Sequence, residues 1–211
     1  SLSFDGNDDY VSLTNVYQFS GADDFTIGMW IYCEDLNSGA GGYIEGTVFL
    51  NTGEPDAEGH FEIRFASGSN GEMYATLNYR GVSSGGTEPN QWNPIENIIE
   101  NEWTHVSVTK FGNLITLYLN GIYNGEVTWG DEAAGAPASP YDWYLGWNAN
   151  EDPDDYYKGK MDDFWLWSIA LTQSEIQSYM TTSPMGDETG LVGYWNFNAG
   201  EGETLYDHSG N

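Results

Sequence analysis

The feature that most limits how this chain can fold is a two-residue rhythm of apolar and other side chains. In DFTIGMWIY, Phe25, Ile27, Met29 and Ile31 fall on one side of an extended chain, and Thr26, Gly28, Trp30 and Tyr32 on the other. The same rhythm sets Phe61, Ile63 and Phe65 against Glu62 and Arg64, and it continues through MYATLNYR, WTHVSVTKF and LITLYLNG. Successive side chains of a strand point to opposite faces, so a run with this period has one face to bury and does not settle as a helix. With DWYLGW, KMDDFWLWS and LVGYWNFN added, the chain offers roughly ten such runs at strand-like spacing. The expectation is an all-β fold, a two-sheet antiparallel β-sandwich. Asn-Gly at 120–121 and again at 124–125 gives the strongest hairpin signals, because both residues tolerate the positive φ of a tight turn.

One stretch departs from the rhythm. In LTQSEIQSYM, Thr172 stands three residues before Glu175, the spacing of a capping box. Leu171, Ile176 and Tyr179 can then pack one side of a short helix onto the sheet edge, between the last two strands. Residues 81–101 and 130–141 are rich in proline and small residues and read as long surface loops, where binding is often built on a rigid scaffold.

Composition narrows the class. A chain of 211 residues fits one sandwich domain, 1–211, with a core that needs no staples. Five Lys plus Arg against 33 Asp plus Glu give a net charge of -28. Such a chain has almost nothing with which to neutralise phosphates, so nucleic acid is excluded as a partner. Its self-repulsion calls for external cations or high salt, which points to an extracellular or cell-surface setting. The single cysteine, Cys33, excludes a disulfide framework and reads as a small buried hydrophobe. No apolar run is long enough for a membrane span, so no membrane insertion is expected. No leader precedes Ser1, and the chain reads as a mature or excised domain.

The ordered set LSFDGNDDYVSL, DFTIGMWIY, NEWTHVSVTKFGNLITLYLNG, YKGKMDDFWLWSIALTQSEIQSYM and GLVGYWNFNAGEGETLYDHSGN resembles the laminin-G-like domains of the concanavalin A-like lectin/glucanase superfamily. The resemblance implies a jelly roll with one concave sheet, used for ligand binding or adhesion and often holding a structural calcium. It leaves two readings of residues 190–211, either the closing strand of this domain or the start of a neighbour. It also implies that the FDG turn lies beside the strand KMDDFWLW.

That neighbourhood raises a metal question. Calcium takes six to eight oxygens, and a Gly turn carrying Asp and Asn supplies some of them. Asp5, Gly6, Asn7 and Asp8 are candidates, as carboxylates or carbonyls. Strict alternation places Asp162 with Phe164 and Leu166, facing inward, where a carboxylate needs neutralising. Asp162 is therefore expected to complete the site from the far strand, the alternative being bonds to nearby loop amides. Asp8 and Asp9 otherwise read as the polar lip of a strand beginning at Tyr10. The loop NANEDPDDYY offers Asn148, Asn150, Asp152 and Asp154, either as a weaker cation or ligand site or as a solvated acidic loop. It lacks the Gly and closing Glu of an EF-hand.

Sugar binding on a sandwich relies on exposed rings with polar groups around them. Trp92, Trp129 and Trp143 lie in or near loops and are candidate ligand-binding residues. Trp30, Tyr32, Tyr118, Trp165, Trp167 and Tyr194 lie on the face opposite the core. Retaining glucanases of this superfamily carry Glu-x-Asp-x-x-Glu on one strand. Here EPDAEGHFE contains a proline and a glycine and reads as loop, while His60, His105 and His208 are scattered. The expected function is a non-catalytic, calcium-stabilised module that binds a polysaccharide or glycoprotein glycan within a larger surface or secreted protein. The rival readings are a subunit of an extracellular filament or surface layer, contacting neighbouring domains or copies of itself, and a glycoside hydrolase or lyase.

Overall fold

The computed structural model of the chain describes residues 1–14, 16–34, 46–50, 60–67, 73–80, 96–128, 142–147, 156–199, 202 and 204–210, with the three strands between 46 and 80 described as backbone. Two antiparallel sheets carry the expected sandwich. The larger has seven strands, ordered β1 (Leu2–Asp5), β11 (Lys158–Trp167), β3 (Phe25–Cys33), β7 (Trp103–Phe111), β8 (Leu114–Leu119) and β9 (Ile122–Thr128), with β12 (Leu191–Trp195) also on β11. The smaller has five, ordered β2 (Val11–Leu13), β10 (Trp143–Leu145), β4 (Gly46–Leu50), β5 (His60–Ser67) and β6 (Met73–Arg80).

The period-two reading of β3 holds. Phe25, Ile27, Met29, Ile31 and Cys33 are buried in the main core, together with Val106, Val108, Ile115 and Leu117 from β7 and β8. The smaller sheet answers with Leu13, Trp143 and Leu145. Asn120 (φ 50) and Gly121 (φ 69) form the turn between β8 and β9, with Leu119 paired to Ile122 across it. The second Asn-Gly is not a turn. Asn124 sits in a β-bulge of β9, and its buried side chain accepts from Glu96 N at 2.7 Å and donates to Glu96 O at 3.0 Å. A side-chain amide that mimics a neighbouring strand can pin a loop while the chain stays extended.

Helix α1 (Gln173–Tyr179) begins at Thr172 with both bonds of the capping box in place. It lies on the outer face of the larger sheet and not on its edge. Ile176 and Leu171 join Trp165, Trp167, Leu191 and Tyr194 in a second, smaller core, with Tyr179 4.7 Å from Trp167. Three large rings on the outer face, Trp165, Trp167 and Tyr194, leave apolar area that only a covering element can remove from water, and the helix supplies that cover.

β11 departs from strict alternation. Its register with β3 shifts between Asp162 and Trp165, and Asp163 has φ 48. This bulge places Met161 and Phe164, three residues apart, in the same core, and it turns Asp162 away from the side that holds Phe164 and Leu166. The outer edge of β11 is shared end to end. β1 pairs with Lys158–Met161 and β12 with Phe164–Trp167, so the bulge lies where the two meet. Beyond β12 the chain returns alongside it: His208 N donates to Tyr194 O at 2.7 Å, and Asp207 Oδ1 accepts from Tyr194 N at 2.9 Å. Residues 191–195 are thus a strand of this sheet. Among the described residues no helix is long and apolar enough to cross a membrane.

Candidate functional site

The loop from β1 to β2 folds around its own carboxylates. Gly6 takes φ 80, and a Cβ there would lie 2.9 Å from Lys158 Cβ, so a glycine is required on both counts. Asn7 N donates to Asp5 Oδ1 at 2.8 Å, a turn of the kind Asp favours. Asp5 N donates to Asp9 Oδ2 at 2.9 Å. The Asn7 side chain and then its backbone N–H hold the exposed Asp5 carboxyl below the usual carboxylate range, which keeps it charged. The result is a trio of exposed carboxylates, Asp5, Asp8 and Asp9, whose oxygens lie within 4.8 Å of one another. Oxygen donors alone suit a hard cation such as calcium, with carbonyls of the turn and water completing six to eight ligands. The oxygens already accepting N–H groups leave the other oxygen of each carboxylate for an ion.

Asp162 does not join this group. Asp5 pairs with Lys158, while Leu2 pairs with Met161, which puts Asp162 four residues further along β11, about 13 Å away at strand rise. Its neighbour Asp163 accepts from the Tyr194 hydroxyl at 2.7 Å. Burial pushes the Asp163 carboxyl up and carries the Tyr194 hydroxyl up to about 12. Asp163 thus serves the second core. The expected partnership of Asp5, Gly6, Asn7 and Asp8 with Asp162 is replaced by one local loop closed by Asp9.

Beside this loop four rings pack against one another. Tyr10 follows Asp9 directly. Its ring lies 4.9 Å from Trp147 and 6.1 Å from Tyr144, and Trp147 stacks on Tyr156 at 5.8 Å with 7° between planes. Trp147 and Tyr156 are also joined by a β-bridge, which fixes the two rings relative to each other. Tyr144 stands on the outer side of β10 because Trp143 and Leu145 point inward, and it is paired to Ser12 of β2. Tyr10 is 49 % exposed, and the other three are half-buried. Trp147 Nε1 is buried with no hydrogen-bond partner among the described residues. A groove of about 780 Å³ runs from Tyr10 and Asp9 along β1 and β2, lined by Leu2, Phe4, Val11 and Leu13.

Trp143 is not a binding ring. It is 0 % exposed, packs on Phe19 at 5.5 Å and donates from Nε1 to Gln18 Oε1 at 2.7 Å. Its indole is core because the alternation of β10 points it between the sheets. Trp92, Trp129, Asn148, Asn150, Asp152 and Asp154 lie outside the described residues. On the opposite face, Trp103 is 41 % exposed and lies 5.6 Å from Tyr32. That ring is already covered, with Lys160 Nζ 5.0 Å from its centroid.

Residues 5–177 match the family described as the concanavalin A-like lectin/glucanases superfamily. The chain belongs to that superfamily. The match ends before β12, the strand that completes the outer edge of β11. No curated protein matches the sequence. Among solved structures, this superfamily member is similar to a candidate carbohydrate binding protein from Bacteroides ovatus ATCC 8483, with 16 % identity and a TM-score of 0.65 over 99 % of this chain. The chain spans 55 % of that protein's length. It is similar to a heptameric SAP-like pentraxin from Limulus polyphemus, with 14 % identity and a TM-score of 0.66, covering 97 % of this chain and 89 % of that one. Domain 4 of AbnA, an extracellular arabinanase from Geobacillus stearothermophilus solved with arabinotriose, gives 19 % identity and a TM-score of 0.53, covering 83 % and 86 %. At these identities the likeness is one of fold.

Sequence reasoning missed Asp9 as part of the trio, and it missed the rings of Tyr10, Tyr144, Trp147 and Tyr156. A signal was available for Tyr144. Once Trp143 and Leu145 are read as inward, period two turns Tyr144 outward.

Proposed function

We propose that this domain is a non-catalytic carbohydrate-binding module of an extracellular or cell-surface protein, with calcium held on the β1–β2 loop. The observation that carries the reading is the placement of three clustered carboxylates, Asp5, Asp8 and Asp9, next to a packed group of rings at one end of the sandwich. Superfamily membership supports it, as do a carbohydrate-binding candidate and an arabinotriose-bound domain among proteins of this fold. Against catalysis stands the sequence itself, which has no Glu-x-Asp-x-x-Glu strand.

Two measurements test the reading. Calcium should raise the melting temperature, because a ligand at 100 times its Kd adds about 2.7 kcal/mol, or about 5–10 °C for a chain of this size. Asp8→Asn should abolish most of that shift and Asp162→Asn should leave it. A glycan array with the calcium-loaded domain should show a carbohydrate ligand, and the bound glycan should emerge uncut. An empty array would reject the binding reading, and cleavage would reject its non-catalytic part. Calcium-dependent growth in light scattering without any glycan bound would favour a self-assembling subunit.

A further inference from the structure

We infer that the rings of Tyr10, Tyr144, Trp147 and Tyr156 form the platform on which the glycan stacks, and that its ligands are neutral sugars. The inference rests on the carbohydrate-binding reading and gives it a place and a chemical class.

Ring geometry sets the mode. Tyr10, Tyr144 and Trp147 are in mutual contact and Tyr156 stacks on Trp147, with centroids 4.9–6.1 Å apart, so these rings leave no box between them for a cationic headgroup of the kind an aromatic cage surrounds. What remains is a surface with one half-exposed ring, that of Tyr10, backed by the half-buried Trp147. A rigid, one-sided apolar surface suits the C–H face of a pyranose. Trp147 and Tyr156 are held by a bridge and parallel stacking, and Tyr144 by strand pairing, so little side-chain freedom is lost when a sugar lands.

Charge sets the class. The charged groups next to Tyr10 along the chain are the carboxylates of Asp8 and Asp9, and carboxylates accept hydrogen bonds from hydroxyls. Three carboxylates against one divalent ion leave this loop negative even when loaded, and on a chain of net charge -28 that disfavours uronates and sialic acids. The competing surface at Tyr32 and Trp103 has a lysine over one ring and lies on the other sheet.

The test is titration of the calcium-loaded full chain with neutral oligosaccharides (glucan, mannan, galactan and arabinan series) and with polygalacturonate and sialyllactose. Tyr10→Ala should weaken the best neutral ligand by about tenfold or more. Tyr10→Phe should stay within about threefold, since the ring is what stacks, and Trp103→Ala should match wild type. Unchanged melting of Tyr10→Ala, whose side chain is half exposed, separates lost binding from lost folding. If glycans bind and Tyr10→Ala and Tyr144→Ala bind them as wild type does, the platform is refuted while carbohydrate binding stands. Preference for an acidic glycan refutes the class. Failure of every sugar to bind refutes the parent reading and this one together.

Discussion

Acid should loosen this domain through one imidazole. His105, in the middle of β7, is 0 % exposed and lies 5.2 Å from Trp30 and 5.4 Å from Trp165. Its Nδ1 shares a hydrogen bond of 3.2 Å with Ser107 Oγ, and its Nε2 has no partner among the described residues. Burial lowers its pKa from 6.5 to about 3. Because the folded value lies below the unfolded one, the unfolded chain takes up the proton first as pH falls. The neutral imidazole's share of stability is fully present above pH 6.5 and drains away towards pH 3. At 1.36 kcal/mol per pH unit, about 2 kcal/mol is lost between pH 7 and pH 5, and about 5 kcal/mol in the limit below pH 3. The 33 carboxylates titrate in the same region, so the raw pH curve is mixed. Urea unfolding followed by tryptophan fluorescence, at fixed ionic strength, should therefore compare wild type with His105→Phe. The variant keeps a ring between the two indoles and loses the Ser107 bond equally at every pH. Wild-type stability minus variant stability should fall by about 2 kcal/mol from pH 7 to pH 5. A difference that is flat in pH would refute the neutral, buried imidazole.

Other substitutions test the packing described above. Gly28→Ala places a Cβ 2.4 Å from the buried Trp165 ring, an overpacking expected to cost about 1–3 kcal/mol, read as a lower urea midpoint. Asn124→Ala strands the amide and carbonyl of Glu96. It should cost about 1–3 kcal/mol and speed hydrogen exchange at residues 96–100 more than in β3. Thr172→Ala removes the cap of α1 and should cost about 1 kcal/mol, visible as a drop in melting temperature without loss of sheet signal.

The legible parts of this fold were those written in local pattern. Alternation placed Phe25 to Cys33 correctly, the Thr172–Glu175 spacing located the helix, and Asn120-Gly121 marked its turn, because each depends on residues within a few positions. What failed was the assumption that alternation continues unbroken. At Asp162–Asp163 a bulge resets the parity of β11, and at Asn124 another absorbs what looks like a second turn. A bulge is set by partner strands, here β3 on one edge of β11 and β1 and β12 meeting on the other, and the local sequence of β11 carries no mark of that. The carboxylate site suffered from the same error. Asp162 was paired with Asp5 because parity aimed it inward, whereas Asp9, four residues from Asp5, closes the loop by accepting the Asp5 N–H. The helix was placed at an edge because the second core of Trp165, Trp167 and Tyr194 becomes apparent only when β11 and β12 are paired.

Charge distinguishes two ways in which cations can act on this molecule. Two of its five basic side chains are already engaged: Lys110 is buried with Nζ donating to Asp23 O at 2.6 Å, and Lys160 lies over Tyr32 and 3.9 Å from Glu34. They do little to relieve a net charge of -28, so relief must come from solution. Monovalent salt acts diffusely, shortening the screening length from about 10 Å at 0.1 M to about 3 Å at 1 M, and its effect on melting should climb without saturating over that range. An ion bound at Asp5, Asp8 and Asp9 acts differently: its effect should saturate at low millimolar concentration or below, persist in high sodium chloride with a weakened apparent affinity, and vanish in Asp8→Asn. Calcium and sodium titrations of the melting temperature, run on both proteins, therefore separate the two. If calcium gives no saturable shift beyond that of sodium at equal ionic strength, the trio is only a charged turn, and the stabilisation by cations belongs to the surface as a whole.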